Sequence, residues 1–307
     1  MKNLVVAQYL LTFREVLEAA ILTAIIMAYL GRTGRTSLTR YAWYGVYGAA
    51  GVSLVLGASV WLLYGSLLEA DQVLFEGVAA IIAVAVLTSM IYWMAIKART
   101  IKFRIEGHVE AAVTRGAVLG LFSITFVLVF REGLETVLFL TPFLVQDLSA
   151  TLLGATLGVA AGTVLAYGVF RFGLRLDIRR FFYFTSILLI LLAGGLLGYG
   201  IHELLEYGGL RGVDFGWWGQ AAYALPIASE SLLHHKGVIG SIFAVMFGYV
   251  VNPEWARVIA HSAYLTIAMP LVILVYRKPE VFGLMVARLR GFLRPIYTRE
   301  SADPPED

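Results

Sequence analysis

The chain has no cysteine, which excludes disulfide bridges, thiolate metal sites and iron–sulfur clusters. Charge is sparse too: Asp, Glu, Lys and Arg make up 15% of its 307 residues, where a soluble domain carries about 25%. Histidine occurs five times, too rarely to expect an imidazole-rich metal centre. A Gly-x-x-x-x-Gly-Lys-[Ser/Thr] loop is missing, which excludes ATP hydrolysis by a P-loop, and so is a Gly-x-Ser-x-Gly nucleophile elbow. Apolar residues fill the space instead, at 59% of the chain with a mean hydropathy of +0.79. They come in runs of roughly 20 residues, the length needed to cross ~30 Å of hydrocarbon. The expected solvent is lipid.

The runs predict an all-α membrane protein with seven transmembrane helices, at about 4–30, 41–64, 73–96, 117–145, 149–170, 181–204 and 255–276. The first apolar stretch runs from Leu4 through Arg14 and Glu15 to Leu30 with no small-residue cleavage pattern, so it reads as a span rather than a removable signal. The segment Val238–Val251 is apolar but short, and is expected to be re-entrant or interfacial. Eighteen of the 24 basic residues fall after spans 1, 3 and 5 and in the tail. Only Lys2, Arg211, Lys236 and Arg257 fall on the other side, and Arg14 and Arg131 lie within spans. By the positive-inside rule the N-terminus is outside and the C-terminus in the cytoplasm. Nine acids (Glu69, Asp71, Glu76, Asp147, Glu203, Glu206, Asp214, Glu230 and Glu254) then face outward, a field that would concentrate cations at the mouth.

Span 1 carries Arg14-Glu15-Val16-Leu17-Glu18 and span 4 carries Arg131-Glu132-Gly133-Leu134-Glu135, each preceded by Phe (Phe13, Phe130). The spans that follow are both glycine-rich, with Gly45, Gly48, Gly51 and Gly57 in span 2 and Gly154, Gly158 and Gly162 in span 5. This predicts two three-helix repeats, residues 1–96 and 117–204. A cytoplasmic connection (97–116) joins them, and an extracytoplasmic connection (205–254), a seventh helix (255–276) and a cytoplasmic tail (277–307) follow. Three spans is an odd number, so the repeats are inverted, an arrangement that places a substrate site at the midplane between them. The tail, with Val281, Phe282, Leu284, Leu289 and Phe292 among Arg288, Arg290 and Arg294, reads as an amphipathic helix on the cytoplasmic lipid surface.

On a helix, residues three and four apart share a face. Glu15 and Glu18 therefore project together with Arg14 reaching Glu18, and Glu132, Glu135 and Arg131 repeat the pattern. Four Glu against two Arg leave a formal −2 at mid-membrane, where each ionised group costs roughly 2.5–3.5 kcal/mol on insertion scales. Six such groups must face each other or a hydrated path, and the residual charge calls for protons or a bound cation. Carboxylates are hard donors suited to ferric iron, manganese, calcium or magnesium rather than copper(I). Further acids and histidines, Glu76, His202, Glu203, Glu206, Glu230, His234 and His235, are candidates for receiving an ion at the outer side. Solvated helix-end residues account for them equally well.

Paired Arg-Glu-x-x-Glu motifs in spans 1 and 4 of a seven-helix, N-out chain resemble the oxidase-dependent high-affinity iron permeases. These comprise the fungal plasma-membrane permease and the bacterial inner-membrane EfeU-type permease. The resemblance covers most of the chain and includes Glu76-Gly77 and Phe247-Gly248-Tyr249. It implies a multi-pass protein of the cell membrane, a bacterial inner membrane, importing iron as Fe³⁺. A separate extracytoplasmic partner would oxidise or deliver the ion. It further implies that Glu15, Glu18, Glu132 and Glu135 handle iron, with Arg14 and Arg131 as partners. Iron is expected as cargo and not as a resident cofactor, with no nucleic acid partner. Of these residues, Glu18 and Glu135 are expected to ligate the ion, with Glu15 and Glu132 completing the shell or accepting protons. Family members proposed to carry other metals, lead among them, leave the metal's identity open. The alternatives are a proton-coupled carrier of another metal or solute, or an intramembrane metal enzyme. The latter is disfavoured because Glu, not His, stands at positions 18 and 135.

Overall fold

The computed structural model describes residues 5–97, 101–172, 178–228, 231–234 and 238–285. They form eight α-helices, α1 (Val5–Arg32), α2 (Thr39–Gly65), α3 (Glu69–Lys97), α4 (Ile101–Leu144), α5 (Leu148–Phe172), α6 (Ile178–Leu210), α7 (Val238–Phe247) and α8 (Trp255–Arg277), and residues 279–285 are helical as well. Helix termini fall where local chemistry dictates. After α1, Gly34 adopts φ +68° and the Arg35 N–H reaches back to the Leu30 carbonyl at 2.9 Å, a glycine stop. Asp147 caps α5, its Oδ1 accepting from the Ala150 N–H at 3.0 Å and the Ser149 hydroxyl at 2.7 Å. Those two bonds hold the Asp147 carboxyl below its usual range.

Five helices, α2, α3, α5, α6 and α8, are long and apolar enough to cross a membrane. Long as they are, α1 and α4 each carry three motif charges, Arg14, Glu15 and Glu18 in α1 and Arg131, Glu132 and Glu135 in α4. With only ten residues, α7 is too short to span; it packs on α6 and touches α1. One boundary differs from the sequence reading. Most of the expected cytoplasmic connection 97–116 is helical, as the first turns of the 44-residue α4. The reason is amphipathic: Ile105 and Val109, one turn apart, bury against Leu22, Ile26 and Leu30 of α1 and Ala42 of α2, and Arg32 pairs with Glu106. Charge on the outer face of a helix does not end it. Past residue 285 the tail lies outside the described residues; before it, Phe282 stacks on Tyr92.

Helix neighbours are not sequence neighbours. The dominant packings are α1 on α5, α2 on α4 and α3 on α6, with α1 also packed along α4. Small residues permit the close approaches. A Cβ on Gly45 of α2 would lie 2.8 Å from the Phe122 carbonyl and 2.9 Å from Thr125 Cβ of α4; one on Gly154 of α5 would lie 2.8 Å from the Val5 carbonyl and 2.8 Å from Gln8 Cβ of α1. The two contacts fall in one register, the same that aligns Arg14 with Arg131. The motif's middle residues continue it: Val16 packs on Gly162 of α5, and Gly133 packs on Ser53 of α2. In each pair a larger residue meets a glycine, with the sizes exchanged.

Candidate functional site

The α1–α4 contact brings the two motifs together. Arg14 is 2% exposed and sits between two carboxylates, its NH1 2.7 Å from Glu15 Oε1 and its NH2 2.5 Å from Glu18 Oε1. NH2 also donates to Met90 Sδ of α3. Arg131 is held differently. Its Nε donates to Glu135 Oε1 at 2.8 Å, its guanidinium lies 4.4 Å from the centroid of the Trp93 ring, and its side chain is 39% exposed. Neither Met90 nor Trp93 was legible as a site residue, because apolar residues within a span look alike before their neighbours are known.

One carboxylate oxygen each from Glu15, Glu132 and Glu135 lies within 4.8 Å of the others, the one group of three ligand-type side chains so placed among the described residues. Glu15 and Glu132 are buried and Glu135 nearly so. Their Oε2 atoms, all three, have no hydrogen-bond partner. Leaving a buried charged acceptor unsatisfied costs more than the ~1–3 kcal/mol of a neutral one, so three together make a strong demand for positive charge. Glu18 stands outside this trio: like Glu15 it is ion-paired with Arg14, and its Oε1 too is buried without a hydrogen bond.

The outer candidates form a separate network. Glu76 accepts from the Tyr64 hydroxyl at 2.5 Å and from the Tyr199 hydroxyl, and Tyr199 also bonds Glu203. His202 Nδ1 lies 2.8 Å from Glu254 Oε1, and its Nε2 is 3.8 Å from Glu206. Burial alone would raise the Glu254 pKa, but the His202 hydrogen bond and the nearby Arg257 charge hold it below the usual carboxylate range. Glu76 stands fourteen residues before Met90 on α3, about 21 Å away at helical rise. So this network is remote from the motif cluster. Tyrosine and histidine engage Glu76, Glu203 and one oxygen of Glu254, whose Oε2 is buried without a partner. His234 is buried; Glu230 and His235 lie outside the described residues.

Membrane-length apolar helices wrapped around a buried, cation-demanding carboxylate cluster define a multi-pass membrane transporter. A sequence profile of the iron permease FTR1 family matches residues 5–278, and the chain belongs to that family. An Archaeoglobus fulgidus protein of unassigned function is 43% identical over 86% of this chain and 93% of its own length. The ferrous iron permease EfeU of Escherichia coli O6:K15:H31 is 34% identical over 87% of this chain and 94% of its own. The protein of the same name from Yersinia pestis is 31% identical over 89% and 93%. No solved structure matches.

Proposed function

We propose that this permease imports iron, taken as Fe³⁺, through the carboxylate cluster between α1 and α4. The carrying observation is the trio Glu15, Glu132 and Glu135, with three unpartnered buried oxygens and converging ligand atoms. An all-carboxylate donor set, without thiolate or imidazole, favours the harder ferric ion. The relatives' names speak of ferrous iron, so the oxidation state is tested separately. The reading refines the roles of the motif residues. Glu15, Glu132 and Glu135 receive the ion, Arg14 fixes Glu15 and Glu18 and offsets their charge, and Arg131 does the same for Glu135.

In this proposal α1–α6 and α8 are the seven spans, with the N-terminus outside and the C-terminus in the cytoplasm. Residues 1–96 and 117–204 are inverted repeats related by a two-fold axis in the membrane plane. The reciprocal packings α1–α5 and α2–α4 and the matched registers at Gly45 and Gly154 support it. The axis passes between the motifs, which places the cluster at the midplane. The Glu76–Glu203–His202 network then sits at the outer end, where it steadies α3, α6 and the start of α8. An acidic exterior gathers cations, and a separate extracytoplasmic protein presents the iron.

The test is radio-iron uptake in cells lacking other importers. Glu132→Gln and Glu135→Gln should abolish uptake while membrane levels hold, and Glu→Asp at either position should impair it severely through the shortened reach. Normal uptake by either Gln variant would sink the assignment. Uptake that is supported by ascorbate-reduced iron and blocked by oxidation would overturn the ferric reading alone.

A further inference from the structure

The two arginines occupy equivalent motif positions yet are held by different means, and both holders come from one stretch of α3. Met90 and Trp93 are three residues apart, hence on one face. Arg14 is enclosed, with two carboxylates and a thioether around its NH1 and NH2 groups. Arg131 has one carboxylate, and the rest of its guanidinium lies over an indole face in a partly open position. Cation–π attraction is strongest for tryptophan and grows when the pair is desolvated.

We infer that Trp93 is a positioning residue that parks Arg131 when a metal ion enters, making Arg131 an exchangeable counter-charge while Arg14 stays fixed. The inference rests on the ion-site reading above. Without a metal, Arg131 neutralises Glu135, one of the three converging carboxylates. An arriving cation repels the guanidinium and competes for the same oxygens. Arg131, already over the indole at 4.4 Å, then gives up its Glu135 bond and keeps the ring as its remaining partner, and Glu135 is released to the ion. When the ion leaves, Arg131 returns. One guanidinium thus alternates between carboxylate plus ring and ring alone, so the cluster never stands with its negative charge uncompensated in a medium where that charge is costly. Arg14 cannot play this part, because both its terminal nitrogens are engaged, NH1 with Glu15 and NH2 with Glu18 and Met90, and at 2% exposure it has no open side to move toward.

The experiment measures the concentration dependence of radio-iron uptake, normalised to protein in the membrane. Trp93→Leu removes the parking place, so Arg131 stays on Glu135 and the apparent KM should rise about 5–30-fold, the range set by a partly desolvated cation–π contact. The maximal rate per molecule should hold. Trp93→Phe keeps a ring and should stay within about threefold of wild type. Met90→Leu should shift KM little, since Arg14 keeps both carboxylates. If Trp93→Leu fails to reach the membrane, fluorinated tryptophan at position 93 keeps the shape and weakens the ring's negative face, and KM should climb with fluorine number. An unchanged KM in Trp93→Leu or in the fluorinated series overturns the inference, as does equal damage from Phe and Leu. Normal uptake by Glu132→Gln removes the ion-site reading and this inference with it. Loss in Glu132→Gln with no KM response at Trp93 removes the inference alone.

Discussion

Replacing Gly133 by valine would copy into α4 the residue α1 carries at the same motif position, Val16, and the copy should fail until Ser53 is trimmed. A Cβ at Gly133 would lie 2.8 Å from Ser53 Cβ of α2, while relaxed carbon contacts lie near 3.5–4.0 Å. The α2–α4 pair must part by about 1 Å, and the two γ-methyls add to the crowding. Overpacking of this kind costs about 1–3 kcal/mol. It also displaces Glu132, the neighbouring residue, from Glu15 and Glu135. On the other side of the bundle the same valine is tolerated because its partner is Gly162, where a Cβ would fall 2.9 Å from Val16 Cγ1. Gly133→Val should therefore lower the thermal midpoint of the purified protein and suppress iron uptake. Gly133→Val with Ser53→Gly rebuilds the Val16–Gly162 pairing in the other half and should recover most of both. Ser53→Gly alone loses the Ser53 hydroxyl bond to the Ala49 carbonyl and gains backbone freedom, worth about 1 kcal/mol. Thermal melts by size-exclusion and uptake assays read all three. A double variant no better than Gly133→Val would refute the reciprocal packing and the two-fold drawn from it.

Arg14→Gln should be far more damaging to stability than Arg131→Gln. The first strands Glu15 and Glu18 in a fully buried setting, at about 3–5 kcal/mol, whereas Arg131 is 39% exposed with a single ion pair; equal midpoints in melts of the two would contradict this. Glu254 gives a pH signature. Its folded pKa is depressed, so its stabilising share is present above the unfolded carboxylate value of ~4.3 and disappears as pH falls through the lower folded value. Wild type should lose thermal stability below about pH 4 relative to Glu254→Gln, and parallel melting curves for the two across pH 3–7 would count against the His202–Glu254 bond. Asp147→Ala removes the α5 cap and should cost about 1 kcal/mol, with Asp147→Asn largely preserving stability; indistinguishable Ala and Asn variants would reject the cap.

Apolar run length fixed where the helices are, because lipid offers no partner for backbone N–H and C=O groups and a spanning segment must satisfy its own. The motif spacing likewise placed Arg14 against Glu18 and Arg131 against Glu135, since i,i+4 proximity is a local property of a helix. Residues 101–116 were harder: charge there reads as a loop, and only burial of Ile105 and Val109 against α1 and α2 shows why they are helical. What tertiary structure alone decided is which groups meet across chain-distant helices. It joined Glu15 with Glu132 and Glu135, and it set Met90 and Trp93 of α3 against the two arginines. It also brought tyrosine and histidine partners to Glu76 and Glu254 at the outer end. Those choices depend on the angle and depth at which helices cross. Such geometry is set by residues like Gly45, Gly133 and Gly154, whose effect lies in how closely another backbone can approach and so cannot be read along a single helix.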